Sequence, residues 1–229
     1  MPDIACPWAC WNEFGSLGFL VGIHLFGQAS KRIMERLMKR FVSGVAFALG
    51  LLAAASVAAA PAKLSPASKQ SGFQKGLSVR YHYVGPPPLK IQSLSEAKST
   101  LSKAKPGSPL RGLDYRDVGP EAPTLTHKEG QNVAADIRGY IKFDAPGIYV
   151  IEVWSNDGVE AQISGKTVGY FGGRQACSGN VRTEVEVPKA GWYPLKIAYF
   201  QKYSNKCLMM KWGKKGEKLK WVPNSAFGY

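Results

Sequence analysis

The sequence predicts an all-β protein, an antiparallel β-sandwich or barrel with a short N-terminal helical or loop insertion. The 229 residues are 45% hydrophobic and include 25 Gly and 15 Pro. This turn-rich composition excludes a coiled coil, a largely disordered chain and a multi-span membrane protein. Short runs of alternating apolar residues recur along the chain, which is the periodicity of strands. Turn signals separate these runs at spacings typical of sandwiches and barrels.

The first sixty residues predict export. Basic clusters precede an uncharged run from Phe41 to Ala60 that ends in small residues, a pattern typical of a signal peptide. We expect the signal peptide at residues 34–60 and an over-extended gene start at residues 1–33, with a long basic leader region as the alternative. A retained membrane helix is another alternative, since about twenty apolar residues can span a bilayer. Cleavage would leave no membrane span and a periplasmic or extracellular protein.

The segment after the leader predicts a tether followed by one domain. Residues 61–75 are mostly Ala, Pro, Ser, Lys and Gln, a composition typical of a flexible tether. The folded domain is predicted at residues 76–229. It opens with a strand at residues 76–85, where apolar residues alternate strictly. Residues 93–103 predict either a short helix capped by Ser95 or an irregular loop.

Strand signals follow a predicted long surface connection at residues 105–130. Gly147–Ser155 is too continuously apolar for a half-exposed strand and predicts a central one. Asn156, Asp157 and Gly158 come next and predict a hairpin turn, because Asp and Gly tolerate a positive φ. Further strands are predicted at residues 133–143, 159–163, 167–171, 181–187, 192–200, 207–213 and 219–222.

Two cysteines, Cys177 and Cys207, follow the leader. An even number of cysteines in an exported protein usually indicates a bridge. A disulfide between them is therefore predicted, with two buried free thiols as the alternative.

Three motifs resemble the protective-antigen-type (PA-fourteen) domain family. They read S-N-D-G at residues 155–158, I-S-G at residues 163–165 and G-W-Y-P-L-K-I-A-Y-F at residues 191–200. The resemblance covers about residues 76–229. It implies a β-sandwich and a role in carbohydrate binding or adhesion.

The same resemblance raises the question of calcium. In lectin-type members of the family, a pair of aspartates in this turn holds a calcium ion that bridges to sugar hydroxyls. This chain has Asn156 in place of the first aspartate and keeps Asp157. An amide in place of a carboxylate removes charge that calcium binding needs. A weak calcium site with Asp157 and Asn156 as ligands is one interpretation. A purely structural Asp157 is the interpretation that we favour.

Ligand-binding residues are expected around this turn and in two neighbouring loops, residues 172–180 and 202–206. Exposed aromatic, amide and guanidinium groups are the side chains that could contact sugar rings and hydroxyls. The expected residues are Asn156, Asp157, Tyr170, Arg174, Gln175, Tyr203 and Asn205.

No catalytic residues are predicted. His82 and His127 have no spacing typical of a metal site or a triad. Glu152 lies in an apolar strand, yet no partner carboxylate for glycoside hydrolysis can be named, and an edge or outward-facing position explains it. We expect a non-catalytic module that binds a glycan or envelope polysaccharide, or mediates adhesion.

The net charge supports an alternative partner class. From Lys63 onward the chain has 25 basic and 13 acidic residues, a net charge of +12, which favours anionic partners. The alternatives are a basic envelope protein that binds polyanions such as lipopolysaccharide, through lysines between Lys211 and Lys220, and a purely structural assembly module. A solvated strand face would also explain those lysines, and no nucleic-acid partner is expected.

Overall fold

Two β-sheets dominate the structure, a computed structural model that describes residues 60–88 and 90–229. A helix α1 (Leu94–Thr100) runs into a 3-10 helix (Leu101–Lys103), and another 3-10 helix (Asn224–Ala226) lies near the C-terminus. The prediction of an all-β protein with a short helical insertion is confirmed. The strands are, in chain order, β1 (Ala62–Lys63), β2 (Ser78–Tyr83), β3 (Lys105–Pro106), β4 (Asp114–Val118), β5 (Val133–Phe143), β6 (Gly147–Ser155), β7 (Val159–Ile163), β8 (Lys166–Phe171), β9 (Ser178–Gly179), β10 (Thr183–Val187), β11 (Gly191–Gln201), β12 (Lys206–Lys214), β13 (Lys220–Trp221) and β14 (Phe227–Gly228).

Each sheet has its own strand order. In the first sheet the order is β1-β10-β6-β12-β13, with β4 paired to β12 and β9 paired to β6. In the second sheet the order is β3-β2-β5-β11-β7-β8, with β14 paired to β5. Within the described residues, β1 and β10 form the only parallel pair, and the other pairs are antiparallel. The predicted central strand β6 lies between β10 and β12.

The core lies between the two sheets. Alternate residues of β6, such as Ile151 and Val153, point into one buried apolar cluster with Ile137 and Ile197 of the second sheet. Phe143 of the second sheet packs on Trp212 of the first, with ring centroids 5.1 Å apart. Burial of each such side chain contributes about 1.5–3 kcal/mol, so the alternating pattern that predicts the strands also holds the sheets together.

The segment predicted as a flexible tether, residues 61–75, is instead packed against the domain. Its strand β1 pairs with β10, and Leu64 is 2% exposed. The Phe73 ring lies 4.3 Å from Tyr140 and 5.0 Å from Trp192, measured between centroids. The polar composition of this segment gives no sign that Leu64 and Phe73 pack against the domain. Their contacts with the domain are with residues more than 60 positions away in the chain.

Two other local predictions need correction. Ser93, rather than Ser95, caps α1, because its hydroxyl oxygen accepts the backbone N–H of Glu96 at 3.2 Å. The surface connection predicted at residues 105–130 contains the strands β3 and β4. Both pair with strands distant in sequence, β4 with β12 and β3 with β2. Strand β3 has only two residues, and β4 reads D-Y-R-D-V, which is mostly polar and shows no apolar alternation.

The turn at residues 156–158 does not form the predicted hairpin. It leads from β6 in the first sheet to β7 in the second, and β7 pairs with β11 and β8. Asp157 has a φ of 56°, as its turn residue type predicts. A Cβ at Gly158 would lie 2.4 Å from a ring carbon of Phe200, so only glycine fits there. The left-handed Asp157 and the small Gly158 thus form the tight turn through which the chain passes from the first sheet to the second.

The predicted gene start and all but the last residue of the predicted signal peptide lie outside the described residues. Of the helices that the structure describes, none has the length and apolar character needed to cross a bilayer.

Candidate functional site

An open cleft of about 470 Å³ lies where the β6–β7 turn, the loop after β8 and the β11–β12 turn meet. The end of β4 contributes Asp117 to its wall. Chain reversals between different strand pairs bring these segments to the same end of the sandwich. Six of the seven predicted ligand-binding residues line the cleft, namely Asn156, Asp157, Arg174, Gln175, Tyr203 and Asn205.

Tyr170 is the predicted site residue that does not line the cleft. It lies on β8 with 60% of its surface exposed. Its neighbours Val168 and Gly169 are buried, whereas Tyr170 is exposed to solvent. Its proximity in sequence to the loop at residues 172–180 therefore does not bring it to the other six residues.

Gln201 organises the floor of the cleft. Its side chain is fully buried, and its Oε1 accepts the hydroxyl of Tyr199 at 2.6 Å. Its Nε2 donates to Asn156 Oδ1 at 2.8 Å and to the carbonyl oxygens of Tyr203 and Asn205 at 2.7 and 3.0 Å. One amide therefore links the β6–β7 turn to the β11–β12 turn. Gln201 is not among the predicted residues, because its only signal in the sequence is a polar residue at the end of an apolar strand.

A second set of hydrogen bonds fixes the loop after β8. The Asn156 Nδ2 donates to the carbonyl oxygen of Gln175 at 2.8 Å, and the backbone N–H of Asp157 donates to the same oxygen at 3.0 Å. The Gln175 Nε2 in turn donates to the carbonyl oxygen of Ser155 at 3.1 Å. Buried polar groups that are satisfied in this way make a rigid network. The loop is thus held against the turn.

A disulfide between Cys177 and Cys207 closes this part of the structure, as predicted. The two Cα atoms are 5.8 Å apart, inside the range that a disulfide requires. The bond joins the loop after β8 to the beginning of β12. It therefore covalently fixes the wall of the cleft beside Asn156.

Asp157 is a buried carboxyl group within the cleft floor. It is 5% exposed, and its Oδ2 accepts the backbone N–H of Lys202 at 2.7 Å. Burial raises the pKa of Asp157 to about 6, against smaller opposing effects of the Lys202 hydrogen bond and the Arg174 charge. The carboxyl group therefore connects two turns, and its hydrogen-bond donor comes from the β11–β12 turn rather than from its own.

The donor atoms at this turn do not suit a calcium ion. Calcium takes six to eight oxygen ligands, with carboxylates prominent among them. The Asn156 Oδ1 already accepts from Gln201, and one oxygen of Asp157 accepts from Lys202. The positive charge of Arg174 acts on the same carboxylate. Across the described ranges, no group of three or more His, Cys, Asp or Glu residues could hold a metal ion.

The rim of the cleft, formed by Arg174, Tyr203 and Ser204, is exposed. Tyr203 has 49% of its surface accessible, and the Arg174 guanidinium forms no hydrogen bond or ion pair with the described residues. Asp117 and Ser204, both exposed, are lining residues that the sequence analysis missed. Asp117 lies on β4, which the sequence did not predict. The rim thus presents an aromatic face, a planar cation and hydroxyls to solvent.

Glu152 lies outside this cleft, on the outer face of the first sheet. Burial raises its pKa, but hydrogen bonds from Trp154 and Arg182 and the charges of Arg182 and Lys211 outweigh burial, so the net pKa is lowered. The Glu152 carboxylate accepts from the Arg182 Nε at 3.0 Å and from the Trp154 Nε1 at 2.9 Å. These contacts explain an acidic residue on the central strand β6 as an outward-facing ion-pair partner.

The family model of the PA14 domain, the protective-antigen-type module, matches residues 116–226. This part of the chain belongs to the PA14 domain family, and the resemblance inferred from the motifs is confirmed. No curated protein matches the chain.

Several solved structures are similar to the chain. The PA14 sugar-binding domain from an RTX adhesin is 15% identical with a TM-score of 0.55, over 68% of this chain and 98% of that one. The PA14 domain of the MpAFP antifreeze protein is 12% identical with a TM-score of 0.55, over 72% and 95%. The epithelial adhesin 9 A domain from Candida glabrata, in complex with Galb1-4GlcNAc, is 13% identical with a TM-score of 0.56, over 73% and 94%. At such identities the similarity establishes the fold.

Proposed function

We propose that this domain is a carbohydrate-binding module and that the cleft at the end of the sandwich is its ligand site. The observation that carries the proposal is the convergence of exposed Arg174 and Tyr203 above a floor whose polar groups are already paired. Binding sites are typically concave, with a few well-placed polar groups. A fixed floor also reduces the entropy lost when a ligand binds.

The chemistry of the rim fits a sugar. A sugar ring has an apolar face of C–H groups, which packs on an aromatic side chain such as Tyr203. Its hydroxyls lie at the edge of the ring, within reach of planar donors such as the Arg174 guanidinium and the Asn205 amide. Of the acid–base groups in the cleft, Asp157 is held by Lys202, and Asp117 is exposed. We therefore propose binding without catalysis.

The similar structures support this function at the level of the fold. One is a sugar-binding domain of an adhesin, and another holds a bound disaccharide. Because one fold hosts many functions, the residues of the cleft are the main support for sugar binding. The proposal includes export to the periplasm or cell surface, which the Cys177–Cys207 disulfide supports, since such bonds persist in oxidising compartments.

A glycan array with the chain from residue 60 onward tests the proposal directly. The wild type is expected to bind at least one glycan class. We expect Tyr203→Ala to weaken that binding at least tenfold without lowering the melting temperature, because the side chain is exposed. Tyr170→Ala is the matched control, since it removes another exposed tyrosine, one that lies outside the cleft, and we expect it to bind like wild type.

Two results would contradict the proposal. One is a wild-type protein that binds no glycan on the array. The other is an equal loss of affinity in Tyr203→Ala and Tyr170→Ala, which would place the ligand elsewhere.

The C-terminal lysines give little support to polyanion binding as the main function. Lys211 lies 3.8 Å from the Glu152 carboxylate, and Lys215 forms a 3.0 Å ion pair with Glu184. Lys211 is also placed over the rings of Trp154 and Trp221, at 4.5 and 4.4 Å from their centroids. Two of the five C-terminal lysines are therefore used within the protein, and only Lys214, Lys218 and Lys220 form no ion pair with the described residues.

A further inference from the structure

A second cavity, of about 670 Å³, lies at the edge of the second sheet beside β2 and β3. Because β3 is only two residues long, β2 extends beyond it at His82 and Tyr83. The loop at residues 126–128 forms the opposite wall. The cavity shares none of its lining residues with the cleft at the end of the sandwich.

Three lysines line this cavity, and no Asp or Glu does. Lys103, Lys105 and Lys128 are all exposed. Among the described residues, Lys103 and Lys105 form no ion pair, and Lys128 lies 3.8 Å from the neighbouring Glu129 carboxylate. A concave surface lined by charges of one sign concentrates counter-ions. The cavity therefore favours an anionic ligand.

The electrostatics of His82 are consistent with a positive field. Burial, and then the charge of Lys103, lower the pKa of His82. Both effects disfavour the charged imidazole, burial more than the charge of Lys103.

The remaining wall is aromatic and rigid. The His127 ring lies 5.1 Å from the ring of Tyr81 and 6.2 Å from that of Tyr83, measured between centroids. The Tyr81 hydroxyl is 2.8 Å from Thr126 Oγ1, which ties β2 to the loop. His127 Nδ1 accepts the backbone N–H of Glu129 at 3.1 Å, so in neutral His127 the proton is on Nε2 and this nitrogen is a donor.

We propose that this cavity binds an acidic saccharide unit, with Lys103 and Lys105 facing its carboxylate or sulfate group and the aromatic wall facing its ring. A neutral sugar would not need three lysines, and a bare inorganic anion would fill only a small part of about 670 Å³. The proposal does not depend on the function assigned to the end cleft, because no residue is shared.

The test compares acidic and neutral forms of the same saccharide by titration calorimetry. The probes are trigalacturonate and its methyl ester, and a sulfated dextran fragment and its unsulfated parent. The double variant Lys103→Gln/Lys105→Gln removes two charges from the cavity. The matched control, Lys189→Gln/Lys218→Gln, removes two charges from exposed lysines elsewhere.

We expect the wild type to bind at least one acidic probe and neither neutral form. The cavity variant should weaken that binding at least tenfold, and the control should change it less than twofold. Whichever acidic probe binds identifies the acid group, and added salt should weaken its binding because exposed charges are screened. Tyr203→Ala should leave this binding unchanged, which separates the outcome from that of the end cleft.

Three results would overturn the proposal. They are no binding of either acidic probe by the wild type, equal binding of an acidic probe and its neutral form, and equal losses in the cavity variant and the control. The last would show that binding follows net charge rather than this cavity.

Discussion

The floor and the rim of the end cleft both contain polar side chains, but those of the floor are buried and those of the rim are exposed. The floor, formed by Asn156, Asp157 and Gln201, is at most 5% exposed, and its side chains are all hydrogen-bonded. The rim residues Arg174 and Tyr203 are exposed, and the Arg174 guanidinium is unpaired within the described chain. A buried polar group that loses its partner destabilises the fold, whereas an exposed one returns to water. The floor therefore determines stability, and the rim is free for a ligand.

The largest effect is expected at Gln201. Gln201→Ala leaves the fully buried Tyr199 hydroxyl and the Asn156 Oδ1 without their partner. At 1–3 kcal/mol for each unsatisfied group, the free energy of unfolding should fall by roughly 4 kcal/mol. Urea denaturation of the wild type and the variant measures this difference in the free energy of unfolding. Gln162→Ala is the control, since its side chain bonds only to the partly exposed Glu160, and a similar loss there would remove the distinction between floor and surface.

The disulfide comes next, because it attaches the loop after β8 to the floor. Its cysteines are 30 residues apart, and a loop of that length predicts a stabilisation of roughly 3.5 kcal/mol from the reduced entropy of the unfolded chain. Cys177→Ser/Cys207→Ser should lower the free energy of unfolding by this amount, measured in urea without reductant. Reduced wild type should match the variant. An unchanged stability would show that the hydrogen bonds alone hold the loop.

Asp157 predicts a pH dependence that the rim should lack. Its pKa is about 6 in the folded protein against 3.8 for the free side chain. The folded state therefore binds the Asp157 proton more tightly than the unfolded state does. The contribution of this proton to the free energy of unfolding is fully present below pH 3.8 and is lost as the pH rises through about 6. Each pKa unit is worth about 1.4 kcal/mol, so the loss is roughly 3 kcal/mol.

The measurement is the unfolding free energy of wild type and Asp157→Asn between pH 3.5 and pH 7, roughly the interval that spans both pKa values. The difference between the two proteins should shift in favour of the variant across this range. Asp117→Asn, at the exposed wall of the same cleft, should follow the wild type. A difference that stays constant with pH would contradict the buried, destabilised carboxylate.

The smallest expected effect is that of calcium. Because Asn156 Oδ1 and one carboxylate oxygen of Asp157 are used by Gln201 and Lys202, millimolar calcium should shift the wild-type melting temperature by less than about 1 °C. Magnesium at the same concentration controls for ionic strength. A rise in the wild type that Asp157→Asn lacks would instead make this turn a calcium site.

The predicted strands show where sequence reasoning works. β5 was predicted at its observed bounds, Val133–Phe143, and β6 was predicted to be central, because apolar alternation follows from the geometry of a pleated strand. Turn-forming and exposed polar residues likewise mark loops, and six of the seven predicted ligand-binding residues lie together in the end cleft, while their role in binding stays a prediction. Tyr170 shows the limit, because its position in a loop-flanking strand did not reveal which face it occupies.

The sequence by itself determined most of the longer strands, the positive φ at Asp157, the Cys177–Cys207 pair and the motifs of the PA14 family. These depend on a few neighbouring residues, or on there being just two cysteines after the leader. Only the tertiary structure decided that β7 joins the second sheet, that residues 61–75 are packed, and that Gln201 supports the cleft floor. The Gln201–Asn156 bond joins residues 45 positions apart, and contacts of that range arise only when both sheets are in place.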